Sequence, residues 1–336
     1  MLSVYGFPFM LAMFVSFVLT PYIKKLAFKI GAVDKPDNRK VHKRIMPRLG
    51  GLAIYIAFMI AVVAGMEMSW DILGILLGGT VIVALVVADD VYQLPAKVKL
   101  LGQIVAAGIL VGFDIRIEWV NNPLGGYFYL DMLSIPFTIF WVISFINVVN
   151  LIDGLDGLAA GVSAIASLTI ILVAIQMGYF HVAVLTAALA GAIIGFIRYN
   201  FNPATIFMGD TGSMFIGYIL AAISVYGAVK TAATIALIVP AIALGLPILD
   251  TAFAIMRRYV NGRPIFQPDK GHLHHRLLAT GMSHKETVLF MYGITAVLCI
   301  GAVLWAEMDG VYAALIIAVI MTAVAIGAKK IGILND

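Results

Sequence analysis

Between short charged stretches this 336-residue chain passes through one apolar window after another, each about as long as a bilayer is thick. Hydrocarbon offers a backbone no hydrogen-bond partners, so such windows close their own N–H···O=C bonds and fold as helices. The chain is 62% hydrophobic and 12% charged, where soluble domains carry roughly 25% charge. Its mean hydropathy is +1.03. Length alone would suggest two soluble domains; one integral-membrane domain spanning 1–336 accounts for it better. The expected fold is therefore an all-α polytopic membrane protein. Windows that can cross a bilayer need roughly 17–25 residues. They fall at 3–24, 49–66, 71–88, 98–113, 133–150, 158–177, 181–198, 212–229, 233–256, 287–306 and 310–328, eleven in all. Tight turns near Gly178 and Lys230, and the short fourth window, leave ten as the alternative count. The start, Met1 to Thr20, lacks a basic leader and a small-residue cleavage site, and reads as a retained first span.

Lys and Arg set the orientation. Twenty of the 22 such residues fall on one side when connections alternate from residues 24–48; Arg116 and Lys230 are the exceptions. That side is expected to be cytoplasmic, with the N-terminus outside and the C-terminus inside. An odd number of spans follows. In the first inner loop, His42, Pro47 and the Gly50-Gly51 pair mark an ordered stretch among charges that otherwise serve the positive-inside rule. The outer segment Ile115 to Leu130 alternates in polarity around Asn-Asn-Pro-Leu-Gly-Gly, the signature of a small extracytoplasmic β-hairpin. Cys299 is the single cysteine, so an intrachain disulfide framework is excluded. No basic patch interleaved with aromatics points to nucleic acid.

Four polar constellations interrupt the apolar pattern. In Asn147-Val-Val-Asn-Leu-Ile-Asp-Gly-Leu-Asp-Gly-Leu-Ala159, two Asn and two Asp recur every third residue: Asn147, Asn150, Asp153 and Asp156. Residues so spaced are neighbours on a helix or a turn at its end, and carboxylates flanked by membrane spans usually mark a site. Asp89-Asp90 ends the third window. Acids there oppose the helix dipole, and two adjacent carboxylates stay ionised only beside cations or metal. Phe207-Met-Gly-Asp-Thr-Gly-Ser213 opens the eighth window. There an Asp either caps a helix or helps hold phosphate or metal at its end. Gly271-His-Leu-His-His-Arg276 lies in the last large inner loop. Three His could bind a transition metal, but with hard oxygen donors as partners, anion binding by His and Arg is the better reading. Asp250, inside the ninth window, is expected to pair with a basic residue at the inner mouth. All four constellations fall on the side assigned from Lys and Arg alone. Carboxylates and Asn suit Mg²⁺, which keeps waters and shares phosphates, and Lys, Arg and His balance phosphate charge. Together they describe phosphoryl transfer at a membrane face.

In this order, the loop from Asp34 to Gly51, Asp89-Asp90, Asn147 to Ala159, Phe207-Met-Gly-Asp210 and His272-x-His274-His275 resemble the polyprenyl-phosphate N-acetylhexosamine-1-phosphate transferases. The resemblance covers nearly the whole chain. It implies transfer of N-acetylglucosamine 1-phosphate from UDP-GlcNAc to undecaprenyl phosphate at the bacterial plasma membrane, giving GlcNAc-diphospho-undecaprenol and UMP. The His-x-His-His form is similar to the GlcNAc branch, including enzymes that begin teichoic acids or enterobacterial antigen. The alternative within the family is phospho-MurNAc-pentapeptide transfer. By the same resemblance Mg²⁺, with Mn²⁺ as substitute, would sit on Asp210 and Asn150. Phe207 would stack on uracil and Asp156 would bond its edge. Lys99 would contact the diphosphate, and His272, His274, His275 and Arg276 would hold phosphate or sugar. Asp89 or Asp90 would orient or deprotonate the lipid phosphate, and Asp153 would be essential in a role left open. UDP-GlcNAc, undecaprenyl phosphate and membrane lipid are the implied partners, and a homodimer is compatible with them.

Phosphoryl transfer rests on positioning and charge neutralisation, and a phosphate monoester is already largely dianionic at neutral pH. Direct attack is thus the expected route, with a covalent intermediate on Asp89 or Asp90 as the rival. A transporter of anionic metabolites is the alternative from another class, weakened because the charges cluster at one face and no inverted repeat stands out.

Overall fold

The structure is a computed structural model that describes residues 2–36, 44–121, 126–231, 235–260, 262, 272–307 and 322. The apolar windows form α1 (Leu2–Ile30), α2 (Gly51–Gly65), α3 (Trp70–Tyr92), α4 (Ala96–Gly112), α5 (Ser134–Leu151), α6 (Leu158–Gln176), α7 (Phe180–Asn200), α8 (Gly209–Thr231), α9 (Ile235–Ala243), α10 (Gly245–Val260) and α12 (His284–Glu307). The short α11 (Leu273–Ala279) lies in the loop before α12. Seven helices, α1, α3, α5 to α8 and α12, are long and apolar enough to cross a membrane, and α9 with α10 makes an eighth if the pair is one span. The protein is an all-α, multi-pass membrane protein.

Of the eleven expected spans, with ten as the alternative, seven or eight are matched by helices long and apolar enough to cross a membrane. The ninth window breaks into α9 and α10, which meet at a bend of 74°. Pro247 has no N–H to give the carbonyl of Ala243, so one helix ends there and the next starts with proline in its first turn, where it is tolerated. Helices α2 and α4, with 15 and 17 residues, are the short ones of the set, about 23–26 Å at 1.5 Å per residue. The eleventh window, 310–328, lies outside the described residues.

Helix α8 is the centre of the bundle. It packs against α2, α3, α5, α7 and α9, and 94% of its apolar window is buried, against 28% for α1. Phe215 on α8 meets the edges of Tyr55 and Phe58 on α2 at 5.4 and 5.6 Å, the geometry aromatic quadrupoles favour. At its N-terminus α8 is tied to the chain entering α2. Phe207 N–H donates to the Pro47 carbonyl at 2.8 Å, Gly50 N–H to Phe207 O at 3.0 Å and Gly51 N–H to Met208 O at 2.8 Å. A Cβ on Gly51 would stand 1.9 Å from the Gly212 nitrogen, so only glycine lets the two backbones meet.

Because the helices alternate in direction, the connections at residues 31–36 and 44–50, 93–95, 152–157 and 201–208 all open at the same end of the bundle. There β1 (Val33–Asp34) pairs antiparallel with β2 (Met46–Pro47). At the other end Lys230 bonds Asp71 at 2.8 Å, and β3 (Trp119–Asn121) pairs antiparallel with β4 (Tyr127–Tyr129), Val120 opposite Phe128.

The Gly51 contact is testable. Gly51→Ala should lower the thermal midpoint of the detergent-purified protein, by the equivalent of ~1–3 kcal/mol for an overpacked site. Gly108→Ala, where a Cβ meets nothing within 4 Å, should leave it unchanged or slightly raised. A wild-type midpoint for Gly51→Ala would refute the close approach.

Candidate active site

A cavity of about 890 Å³ opens at the end of the bundle where those connections gather. Asp34, Arg44, Met46 and Arg48 line it from the loop before α2, Asp90 from the end of α3, and Asp153 to Asp156 from the turn between α5 and α6. Asn200, Asn202, Pro203, Ala204, Phe207, Gly209 and Asp210 come from the passage into α8, and His275 and His284 from either side of the α11 turn.

Asp89 and Asp90 are both buried, at 5% and 4% exposure, and each is fully engaged. The α3 helix ends with Gln93 in the left-handed region. That turn carries the Leu94 N–H back to Asp89 Oδ1 at 2.7 Å. Asp89 Oδ2 receives the Lys99 ammonium at 2.6 Å. Lys99 sits in the first turn of α4, after Pro95, and bonds Asp210 Oδ2 as well, at 2.8 Å. Asp90 takes the Thr211 hydroxyl on Oδ2 at 2.6 Å and faces Arg48 Nε at 3.5 Å on Oδ1. Arg48 also donates to the Asp90 carbonyl at 2.8 Å. Two adjacent acids thus stand beside two separate cations, Lys99 and Arg48.

The three-residue repeat divides its labour. Asn147 turns into the bundle and donates to Gln103 at 2.9 Å. Asn150 donates to Asp210 Oδ1 at 3.1 Å and to Ser213 Oγ at 2.9 Å, so Asp210 is clamped by α4 and α5 rather than capping its own helix. Asp153 faces the cavity, where burial first and then the carboxylates of Asp210, Asp90 and Asp156 push its acid up to about 8. Asp156 accepts Asn202 Nδ2 at 3.2 Å and Ala204 N–H at 3.0 Å on one oxygen, which shapes the cavity wall leading to Phe207. Its own N–H donates to His284 Nε2 at 2.9 Å.

The histidine cluster is divided between the interior and the cavity. His272 is buried at 5% exposure and bonds Asp250 through Nδ1 at 3.0 Å. His274 is 2% exposed and lies against Gly154. Of the four expected residues His275 alone lines the cavity; His272, His274 and Arg276 do not. The reason is helical geometry: α11 begins at Leu273, and residues one and two apart on a helix point in different directions. Burial holds His274 at a pKa of about 3, with His275 adding to the effect, so it is neutral.

Among the described residues no three His, Cys, Asp or Glu side chains converge as a closed metal cage. Mg²⁺ asks for less, taking one or two carboxylates with waters and substrate phosphates. The donors are hard oxygens, and burial first, then the nearby carboxylates, raises the Asp153 acid. The carboxyl groups of Asp90, Asp153, Asp156 and Asp210, lining one cavity, are a hard-oxygen set that fits a divalent cation.

A family profile described as Glycosyl transferase family 4 matches residues 72–228, which carry the acid pair, the Asn/Asp repeat and Asp210. The chain is 41% identical over 336 residues to the "Probable undecaprenyl-phosphate N-acetylglucosaminyl 1-phosphate transferase" of Bacillus subtilis (strain 168), covering 98% of this chain and 92% of that one. It belongs to the polyprenyl-phosphate N-acetylglucosamine-1-phosphate transferase family. Further relatives are the "Decaprenyl-phosphate N-acetylglucosaminephosphotransferase" of Mycolicibacterium smegmatis, 36% identical over 87% of this chain and 79% of its own, and the "Phospho-N-acetylmuramoyl-pentapeptide-transferase" of Thermoanaerobacter sp. (strain X514), 33% identical over 85% and 95%.

In this transferase the cavity uses residues that the motifs did not single out. Arg48 was one of many loop cations, and nothing local distinguished it from ballast. Asn200, Asn202 and His284 act through partners more than 40 residues away in sequence, as does Thr211 from within the Phe207–Ser213 stretch. The acid at position 153 gives a prediction with a definite sign. Its proton is held in the native transferase up to about pH 8 and lost near 3.9 in the unfolded chain. Its contribution to stability is therefore present below that lower value and fades as pH rises towards 8. In EDTA, the thermal midpoint of the wild type should fall from pH 5 to pH 8, and Asp153→Asn should flatten part of that fall. Parallel slopes for the two proteins would contradict the assignment.

Proposed function

We propose that the protein transfers N-acetylglucosamine 1-phosphate from UDP-GlcNAc to undecaprenyl phosphate, releasing UMP, in the first membrane step of a bacterial cell-envelope glycopolymer. The observation that carries this reading is Lys99 held between Asp89 and Asp210 at 2.6 and 2.8 Å, beside a cavity that also holds Arg48 and His275. Cations and hard oxygens gathered at one membrane face suit two phosphate-bearing substrates. The 41% identical relative carries the GlcNAc name and the 33% identical one the muramoyl-pentapeptide name, which favours GlcNAc.

In this reading the end of the bundle with the cavity faces the cytoplasm of a bacterial plasma membrane, which the Lys and Arg distribution supports, and the β3–β4 hairpin lies outside. The half-buried Phe207 ring offers uracil a stacking face, with Asp156 beside it. Asp210, steadied by Asn150, is the residue to hold Mg²⁺, which when bound neutralises diphosphate charge. Lys99 reaches the diphosphate from Asp210, and His275 reaches it from the far wall.

The acceptor phosphate sits by Arg48 and Asp90. One of its oxygens bonds to the sugar-bearing phosphorus while the bond from that phosphorus to the UMP oxygen breaks, and the electron pair leaves with UMP. The second pKa of the acceptor is near 6, so no base is needed to strip it. Asp89 and Asp90 are poor nucleophiles because Lys99, the Leu94 N–H, Thr211 and Arg48 already engage both oxygens of each. In this reading they organise the site for direct displacement.

The test is UMP release by the detergent-solubilised protein. It should need polyprenyl phosphate together with UDP-GlcNAc, show sequential kinetics, and give no lipid-free exchange of labelled UMP into UDP-GlcNAc. Turnover of UDP-MurNAc-pentapeptide instead would move the protein to the other branch. Lipid-free exchange lost in Asp89→Asn or Asp90→Asn would establish a covalent route.

A further inference from the structure

Asp250 is a buried carboxylate, 6% exposed, that no step above uses. It stands on α10 just past the 74° bend, and both its oxygens are committed to the start of α11. Oδ2 bonds His272 Nδ1 at 3.0 Å and Oδ1 accepts the Leu273 N–H at 2.8 Å. A chain of rings leads from there to the cavity. His272 lies parallel to His274, with centroids 5.9 Å apart at 6°, and His274 meets His275 at 4.3 Å. His274 is also wedged against the acidic turn: a Cβ on Gly154 would fall 2.6 Å from its Nε2. The only ring of the three that lines the cavity, among the described residues, is therefore supported through the other two.

We propose that Asp250 is a positioning residue of the transferase. By fixing His272, and through it the stacked His274, it sets where His275 stands in the cavity, and so links the bend between α9 and α10 to the phosphate-binding wall. The Asp250–His272 bond fixes the tautomer and ring plane, as a carboxylate commonly does for a working imidazole. Stacked rings transmit that plane because closely packed groups have discrete arrangements rather than a continuum. His274 serves as a neutral spacer, consistent with its lowered pKa, and avoids a like charge beside His275. The role of His275 rests on the transferase reading; its placement by Asp250 does not.

Two measurements on the full chain separate those claims. The first needs no turnover. In a Cys299→Ala background, a thiol placed by His275→Cys reports, through its rate of modification, how the Asp250 bonds to His272 and the Leu273 N–H hold position 275 on α11, and one placed by Ala204→Cys reports the opposite wall. Asp250→Asn should change the first rate at least about fivefold and the second by less than about twofold, because only the supported position is released. Equal rates at position 275 with and without Asp250→Asn would overturn the proposal, as would a matching change at both positions, which signals general loosening. The second is kinetic. With UDP-GlcNAc and polyprenyl phosphate, Asp250→Asn should lower kcat by about tenfold, as small misplacements of a positioning group do, yet cost less than about twofold in a His275→Ala background, since residues acting through one another are not additive. Full multiplication of the two losses would overturn the route through His275. Absence of turnover in the wild type with a positive thiol result would instead remove the transferase reading and leave the positioning intact.

Discussion

The bridge from Lys99 to Asp89 and Asp210 is the interaction on which the rest of the architecture depends. Carboxylates at the end of an apolar bundle are costly unless a cation or strong donors neutralise them. One ammonium meets two of them here, at 2.6 and 2.8 Å, and so ties three helices at one point. Asp89 belongs to α3, Lys99 to α4 and Asp210 to α8. Arg48 does the same for Asp90 from the loop before α2, and Thr211 bonds that acid from α8. Four helix ends are thereby held in register around a cavity that would otherwise be a set of loose connections.

The bundle in turn serves this junction. Helix α8 can carry Asp210 into the centre because its N-terminus is built from Gly209, Gly212 and small hydroxyl residues that let α2 lie almost in backbone contact. Its far end is anchored by Lys230 and Asp71. The α9–α10 bend works in the same direction. A straight ninth helix would continue along the bundle axis, whereas the bend brings Asp250 to His272 and folds the α11 turn back over the acidic residues.

Much of this was legible in the residue order, for identifiable reasons. Window length and hydrophobicity are local properties, so the helix positions matched closely from α1 to α8 and at α12. The Asn/Asp repeat declared itself because its period is local too. Pairings between distant segments were less accessible. The expectation that Asp250 meets a basic partner named no residue, and His272 supplies it. The two outer members of His272-x-His274-His275 looked equivalent in sequence, but one faces Asp250 and the other the cavity, a distinction set by where α11 starts. Arg48 could not be told from its neighbours because a charged loop contains no periodic signal. The break at Ala243–Gly245 was foreshadowed by Pro240 and Pro247, yet hydropathy over 233–256 averages across such a kink and hides it.

The central claim is that the charge at this junction is arranged for a metal-bound diphosphate. Calorimetric titration of UDP-GlcNAc into the detergent-solubilised protein, with Mg²⁺ and with EDTA, tests it most directly. Binding should require Mg²⁺ in the wild type and lose that dependence, along with most of the affinity, in Asp210→Asn, because one hard ligand among few is removed. Equal binding in EDTA and Mg²⁺, or wild-type Mg²⁺-dependent binding by Asp210→Asn, would contradict it.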